Sequence, residues 1–192
     1  MNPFTIFALI LQLASAQSSA TPLDRMRAKT ALDPVTSLTA VQIAGQYANP
    51  SKELIKRVGP PLDGNNLYIF PDKTYVYCEW GDVMQNTVFD KGTWNFAEGV
   101  LALKSDPEIK WDTRLERRFL AVRRPSHSDE ILLVGIEEEL PYFEKKAGDD
   151  PELMLLIVAK QREEPLRQAE AGKLKTNLMR EGWRPDFFRK QP

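Results

Sequence analysis

The sequence predicts an α+β fold dominated by an antiparallel sheet. The expected form is a curled sheet or partial barrel of about seven or eight strands with a C-terminal helix. Three observations carry this. Short runs rich in Val, Ile, Thr and aromatic residues recur from Leu67 onward, each closed by Gly, Pro or Asp. Fourteen prolines and ten glycines punctuate the chain, which leaves little room for long helices. After Pro165, Leu166, Ala169, Leu174 and Leu178 fall roughly on one helical stripe.

Phe4 to Ala14 is an apolar run, too short to span a bilayer as a helix but suited to the core of a secretory signal. Ala14-Ser15-Ala16 has the small-x-small pattern of a cleavage site, so residues 1–16 are expected to be removed before Gln17. No later stretch approaches the length of a transmembrane helix, so none is expected after cleavage. Residues 17–36 are polar and read as a flexible leader. The β-rich domain is expected over 37–162. A C-terminal helix and an aromatic tail, residues 163–192, would pack back upon it, with Trp183 and a Phe of 187–188 as anchors.

Within the domain, Ser37 to Tyr47 reads as a short helix entering a strand at Ile43. Lys52 to Arg57 is charged, and Gly59-Pro60-Pro61 ends whatever precedes it. Leu67–Phe70 is the next strand, followed by a Pro71-Asp72-Lys73 turn in which Asp bonds its own backbone. Thr74–Trp80 follows, with Val76, Cys78 and Trp80 on the expected core face and Tyr75, Tyr77 and Glu79 on the other. Thr87–Phe96 is a strand in which Gly92 marks a bulge or a close backbone approach. Ala97-Glu98-Gly99 reads as a three-residue hairpin loop into Val100–Ser105. Ile109–Trp111, Arg117–Arg123 and Ile131–Ile136 are further strands, and Glu137–Lys146 is a short helix with charges matched to its dipole. Leu153–Ala159, apolar throughout, is predicted to be a strand. The last helix is expected to begin at Pro165 and stop at Gly182.

Composition excludes several functions. Twenty-six basic residues face twenty-seven acidic ones, so nothing in the charge favours nucleic acid. Cys78 is the single cysteine, which forbids an intramolecular disulfide despite an oxidising destination. With one histidine, His127, the usual zinc ligand sets cannot be assembled, and no cofactor is expected. Ser126-His127-Ser128-Asp129 is a polar turn; neighbours in one turn cannot orient each other as a triad requires.

Two residue sets carry the functional expectation. Tyr68, Tyr75, Tyr77, Trp80, Trp94 and Trp111 would line a cavity for a small apolar ligand, although the same rings also serve to fill a small barrel. Arg117, Arg118, Arg123 and Arg124 would form a stripe for an acidic envelope protein, or protect an edge strand. Catalysis has little to rest on: a carboxylate-only hydrolase could use a pair such as Glu79 and Asp90, but nothing in the sequence distinguishes these acids from surface residues.

The spacing Gly45-x-Tyr47, Leu67-x-x-x-Pro71-Asp72-Lys73-x-Tyr75, Gly81, Asp90-Lys91-Gly92-Thr93-Trp94 and Gly99-Val100-x-x-Leu103-x-Ser105 covers about a third of the chain. It resembles a group of small exported bacterial proteins of unassigned function. In layout it is similar to lipocalin-like (calycin-like) barrels, including the N-terminal domain of envelope copper-stress lipoproteins. The chain departs from the latter in having neither a lipid-attachment cysteine nor a Cys-x-x-Cys pair. The resemblance implies export, to the periplasm or the medium, and a curved antiparallel sheet. The expectation is a non-catalytic exported binding protein for a small apolar or amphipathic molecule. The alternatives are an envelope interaction or structural protein and, further off, a hydrolytic enzyme.

Overall fold

Each run of β-branched and aromatic residues pairs with the runs beside it in sequence, and the last strand returns to the first. The computed structural model describes residues 35–82, 84–109, 115–124, 127–146 and 150–182. The segments expected to be a signal and a leader, as far as residue 34, Lys110 to Arg114 (including Trp111) and the Trp183–Phe188 tail lie outside the described residues.

Eight strands are described: β1 Gly45–Asn49, β2 Asp63–Ile69, β3 Thr74–Gly81, β4 Met84–Ala97, β5 Val100–Ser105, β6 Arg118–Arg124, β7 His127–Gly135 and β8 Lys160–Pro165. They form a closed, antiparallel barrel in sequence order, with β8 pairing β1. Among the described residues five helices accompany them: α1 Ala40–Ile43, α2 Lys52–Val58, α3 Glu139–Lys146, α4 Pro151–Val158 and α5 Gln168–Gly182. Strands β1, β3, β5 and β7 all finish at one end of the barrel, called here the upper end.

The turns follow local chemistry. Asp72 Oδ1 accepts hydrogen bonds from the Thr74 amide at 3.1 Å and its hydroxyl at 2.6 Å, closing the β2–β3 turn. The β4–β5 loop is two residues rather than three. Ala97 pairs with Val100, and Glu98 and Gly99 have φ of 52° and 81°, the sign that a tight primed hairpin turn requires. Gly92 is a close approach and not a bulge. A Cβ there would stand 2.1 Å from the Lys104 carbonyl oxygen. The β3–β4 register shifts instead between Tyr77 and Cys78, where Phe89 is the extra residue of β4, and again between Glu79 and Gly81.

Two expectations are corrected. Residues 151–158 are helix, not strand. Asp150 caps the helix by accepting from the Leu153 amide at 2.9 Å, and Pro151 sits in the first turn, where its missing N–H costs nothing. A run apolar on every side reads equally as buried helix or buried strand, and the Asp-Pro start decides it. The closing strand is instead the polar Lys160–Pro165, and the last helix begins at Gln168 rather than Pro165. The charged stretch after Ser51 is helix α2. The Ser51 hydroxyl accepts from the Leu54 amide at 3.1 Å, and Gly59, at φ 97°, terminates the helix.

The core has three parts. Inside the barrel, Tyr47, Leu67, Ile69, Tyr75, Tyr77, Trp94, Leu101, Phe119 and Leu133 meet, with Ile43 below them. On the outer face of β6 and β7, Leu120, Val122, Leu132 and Val134 lie under Leu140 and Phe143 of α3 and Leu155 and Val158 of α4. On the outer face of β2 to β4, Tyr68, Phe70, Val76, Cys78 and Val88 lie under Ala171, Leu174 and Leu178 of α5. The expected core face of β3 is therefore only half of the answer. Val76 and Cys78 are outside under α5, while Tyr75 and Tyr77 point into the barrel, and both sets are buried. Helices laid on a closed barrel make both faces of a strand apolar, which parity cannot resolve.

Candidate functional site

Strand alternation decides what enters the barrel. Each ladder pair shares a face, so Leu67↔Tyr77, Tyr77↔Asp90, Gly92↔Ser105 and Leu133↔Lys160 carry the inner surface around the sheet. Most of that surface is apolar. The inner residues Tyr47, Leu67, Ile69, Tyr75, Tyr77 and Phe119 are at most 3% exposed, so side chains fill the middle of the barrel. Toward the upper end, ionisable groups replace them in two networks.

The first centres on Asp90, which is wholly buried. Its Oδ2 accepts from the Tyr75 hydroxyl at 3.0 Å, the Ser105 hydroxyl at 2.9 Å and, at very short range, Arg117 Nη1. Its Oδ1 accepts from the Lys91 amide at 2.8 Å. Arg117 reaches in from the rim and is 39% exposed along its side chain. Asp90 raises the Arg117 pKa against burial, which lowers it, and burial raises that of Tyr75. A wholly buried carboxylate with this many donors ties β3, β4, β5 and the start of β6 together.

The second network surrounds Lys160, 5% exposed on the inner wall. Its Nζ donates to Asn65 Oδ1 at 2.8 Å and lies 3.9 Å from Glu139 Oε1. It stands 6.0 Å from the Tyr77 ring centre and 5.9 Å from that of Phe119. The Tyr77 hydroxyl donates to Glu79 Oε1 at 3.0 Å, and the Gly135 amide donates to Glu139 Oε2 at 2.6 Å. Burial lowers the Lys160 pKa, opposed by Glu139, Glu116 and Glu79. Burial likewise raises the Glu139 pKa, opposed by Lys160. Both shifts favour the uncharged forms of the pair. Glu116 stands beside them, capping α3 by accepting from the amides of Glu137, Glu138 and Glu139 at 2.8, 3.0 and 2.9 Å. Burial, helped by the Glu137 carboxyl, pushes Glu116 up to about 7 against those three donors.

The six expected ligand-lining aromatics separate. Tyr75, Tyr77 and Trp94 are inside, Trp94 Nε1 donating to the Phe70 carbonyl at 3.0 Å. Tyr68 is on the outer face beneath α5, where burial pushes its hydroxyl up to about 12. Trp80 is half-buried on the outer face of β3, lying across Gly64 of β2, where a Cβ would come within 2.5 Å of its ring. Trp111 lies outside the described residues.

The four arginines separate as well. Arg117 serves Asp90. Arg118 points outward and donates to Glu137 Oε1 at 2.6 Å. Arg123 is exposed. Arg124, 1% exposed, is held by Glu53 of α2, Glu152 of α4 and Glu130 of β7. Arg118 and Arg124 keep the parity of the outward Leu120 and Val122, but they stand at opposite ends of β6, and the irregularity beside Arg124 lies on the β7 side.

Of the acids singled out from sequence, Glu79 and Asp90 both belong to the inner face. Lys160, Glu116 and Asn65 belong to no motif in the sequence, and Glu139 reads there only as one of three successive glutamates at a helix start. The only available signal was a lysine opening a strand immediately after a buried apolar run. Among the described residues no group of three acidic, histidine or cysteine side chains is arranged to hold a metal ion. No helix of the described residues is long and apolar enough to cross a membrane. Compared with known family models, curated proteins and solved structures, the chain matches none.

Proposed function

We propose that this is an exported, non-catalytic binding protein for a small amphipathic molecule, taken at the upper end of the barrel. The supporting observation is Lys160. A lysine Nζ carries at least two N–H donors in either protonation state, yet here it makes one hydrogen bond among the described residues, to Asn65, with Glu139 beyond hydrogen-bond reach. A buried donor short of partners is costly, and an oxygen acceptor supplied by a ligand relieves that cost. The rings of Tyr77 and Phe119 on either side suit the apolar part of the same molecule. The resemblance to lipocalin-like barrels and the N-terminal signal pattern support export and binding in the same sense.

The close filling of the inner wall restricts the ligand. It is small, and its entry displaces side chains at the upper end rather than occupying an open channel. Native mass spectrometry of protein purified gently from the cell that exports it tests this reading. A stoichiometric non-covalent adduct, lost in Lys160→Met, is the expected result. A clean monomer mass from several preparations, with no adduct restored by added small alcohols or carboxylic acids, would overturn it.

A further inference from the structure

We infer that Lys160 is a covalent capture site for small apolar aldehydes, which it binds reversibly as an imine. This rests on the binding reading above and specifies the chemical class of its ligand. Nζ is on the inner wall of a closed barrel, in a side chain only 6% exposed, between two aromatic rings. Its one hydrogen bond goes to the neutral amide oxygen of Asn65. The nearest carboxylate, Glu139, stands at 3.9 Å, near enough to exchange a proton through one water and too far for a direct hydrogen bond. A desolvated lysine in such surroundings is the form in which an amine acts as a nucleophile.

The groups facing Nζ agree with this. Glu79, Glu116 and Glu139 are the acids near it, and the Tyr77 hydroxyl is already committed to Glu79. The pKa directions of Lys160 and Glu139, down and up, bring the pair toward amine plus carboxylic acid. The step then balances without any further reagent. The amine lone pair adds to the aldehyde carbon, forming the C–N bond, and the carbonyl oxygen takes a proton from the Glu139 carboxyl. The nitrogen returns a proton to Glu139. A second transfer from Glu139 lets the hydroxyl leave as water, giving the protonated imine beside the Glu139 carboxylate, which takes back the N–H proton to leave the neutral imine. Hydrolysis reverses each step, so capture is reversible. The aldehyde's chain would lie against Tyr77 and Phe119.

The experiment uses the full folded chain, hexanal as the aldehyde and cyanoborohydride to fix the imine at neutral pH. Peptide mapping by mass spectrometry reads each lysine. We expect Lys160 to label at least about tenfold faster than the exposed Lys56 and Lys104, a difference equivalent to about 1.4 kcal/mol in barrier. The preference should vanish in denatured chain, and Lys160→Arg should lose the fast adduct. Because the ratio is read within the unaltered protein, the test survives a variant that fails to fold. In parallel, saturation-transfer NMR with hexan-1-ol, which cannot form an imine, reports binding alone. If hexan-1-ol binds but Lys160 labels no faster than the surface lysines, covalent capture is overturned and the binding reading stands. If neither occurs, both fall. A preference for Lys160 that persists in the denatured chain also overturns the inference, since the fold would not be its cause.

Discussion

Replacing Arg124 with methionine should destabilise the protein by about 2–3 kcal/mol at pH 7, and the loss should shrink as the pH falls toward about 3. The magnitude comes from the geometry. Arg124 Nη1 and Nη2 fork onto Glu53 at 2.5 and 3.0 Å, and Nε and Nη2 both reach Glu152 Oε1, at 2.9 and 2.5 Å. Glu130 adds a longer contact at 3.3 Å. One side chain thereby ties the end of β6 to α2, α4 and β7. Removing one partner from a buried ion pair costs about 3–5 kcal/mol when the other is left stranded. Here the carboxylates are 35%, 48% and 19% exposed along their side chains, so water recovers part of that cost. Methionine keeps much of the buried stem, which separates loss of charge from loss of packing.

The pH dependence has a definite sign. The hydrogen bond from Arg124 is the main reason that the Glu53 carboxyl is held below its ordinary value of 4.5. A carboxylate with a depressed folded pKa contributes stability in full above its unfolded pKa and loses it as pH falls through the folded one. The wild type should therefore lose, on acidification, stabilisation that the variant never had, and the two should converge. Urea denaturation of both proteins at several pH values from 7 to below 4.5, down to about 3, reads this directly. A variant within about 0.5 kcal/mol of wild type at pH 7, or a gap that stays constant with pH, would refute the reasoning.

Other perturbations probe the remaining parts of the fold. Gly92→Ala places a Cβ against the Lys104 carbonyl oxygen and must part β4 from β5; denaturant unfolding should show a loss of about 1–3 kcal/mol or more. Tyr75→Phe, which removes one hydroxyl from the Asp90 network, should cost about 1 kcal/mol, and Asp90→Ala about 3 kcal/mol. In the double variant the two losses should not add, as a double-mutant cycle will show. Burial pushes the Cys78 thiol up to about 12, so a disulfide reagent at pH 8 should leave it unmodified in the folded protein and consume it once the chain is denatured.

The turns and most of the strands were legible because their causes are local. Pro71-Asp72-Lys73 turns through the bonds that Asp72 makes two residues on, and Gly99 supplies the left-handed backbone that a tight hairpin needs. Gly92 announced a close approach, although which backbone it would meet depended on the pairing with β5. Leu153–Ala159 reads equally as strand or helix because uniform apolarity has no period, and the helix signal lies just before it, in Asp150 and Pro151.

By itself the sequence determined a mainly antiparallel sheet with turns at stated places and a C-terminal helix, because hydrophobic alternation and turn chemistry act over a few residues. Only the tertiary structure decided that the sheet closes, since closure is made by the polar Lys160–Pro165 finding β1. Closure then assigned every strand residue to an inside or an outside. It sent Tyr75 and Tyr77 inward and Tyr68 and Cys78 beneath α5, scattered four neighbouring arginines, and placed Lys160 among the rings and carboxylates of other elements. Those contacts join residues many tens of positions apart, and no local pattern in the chain encodes which of them will meet.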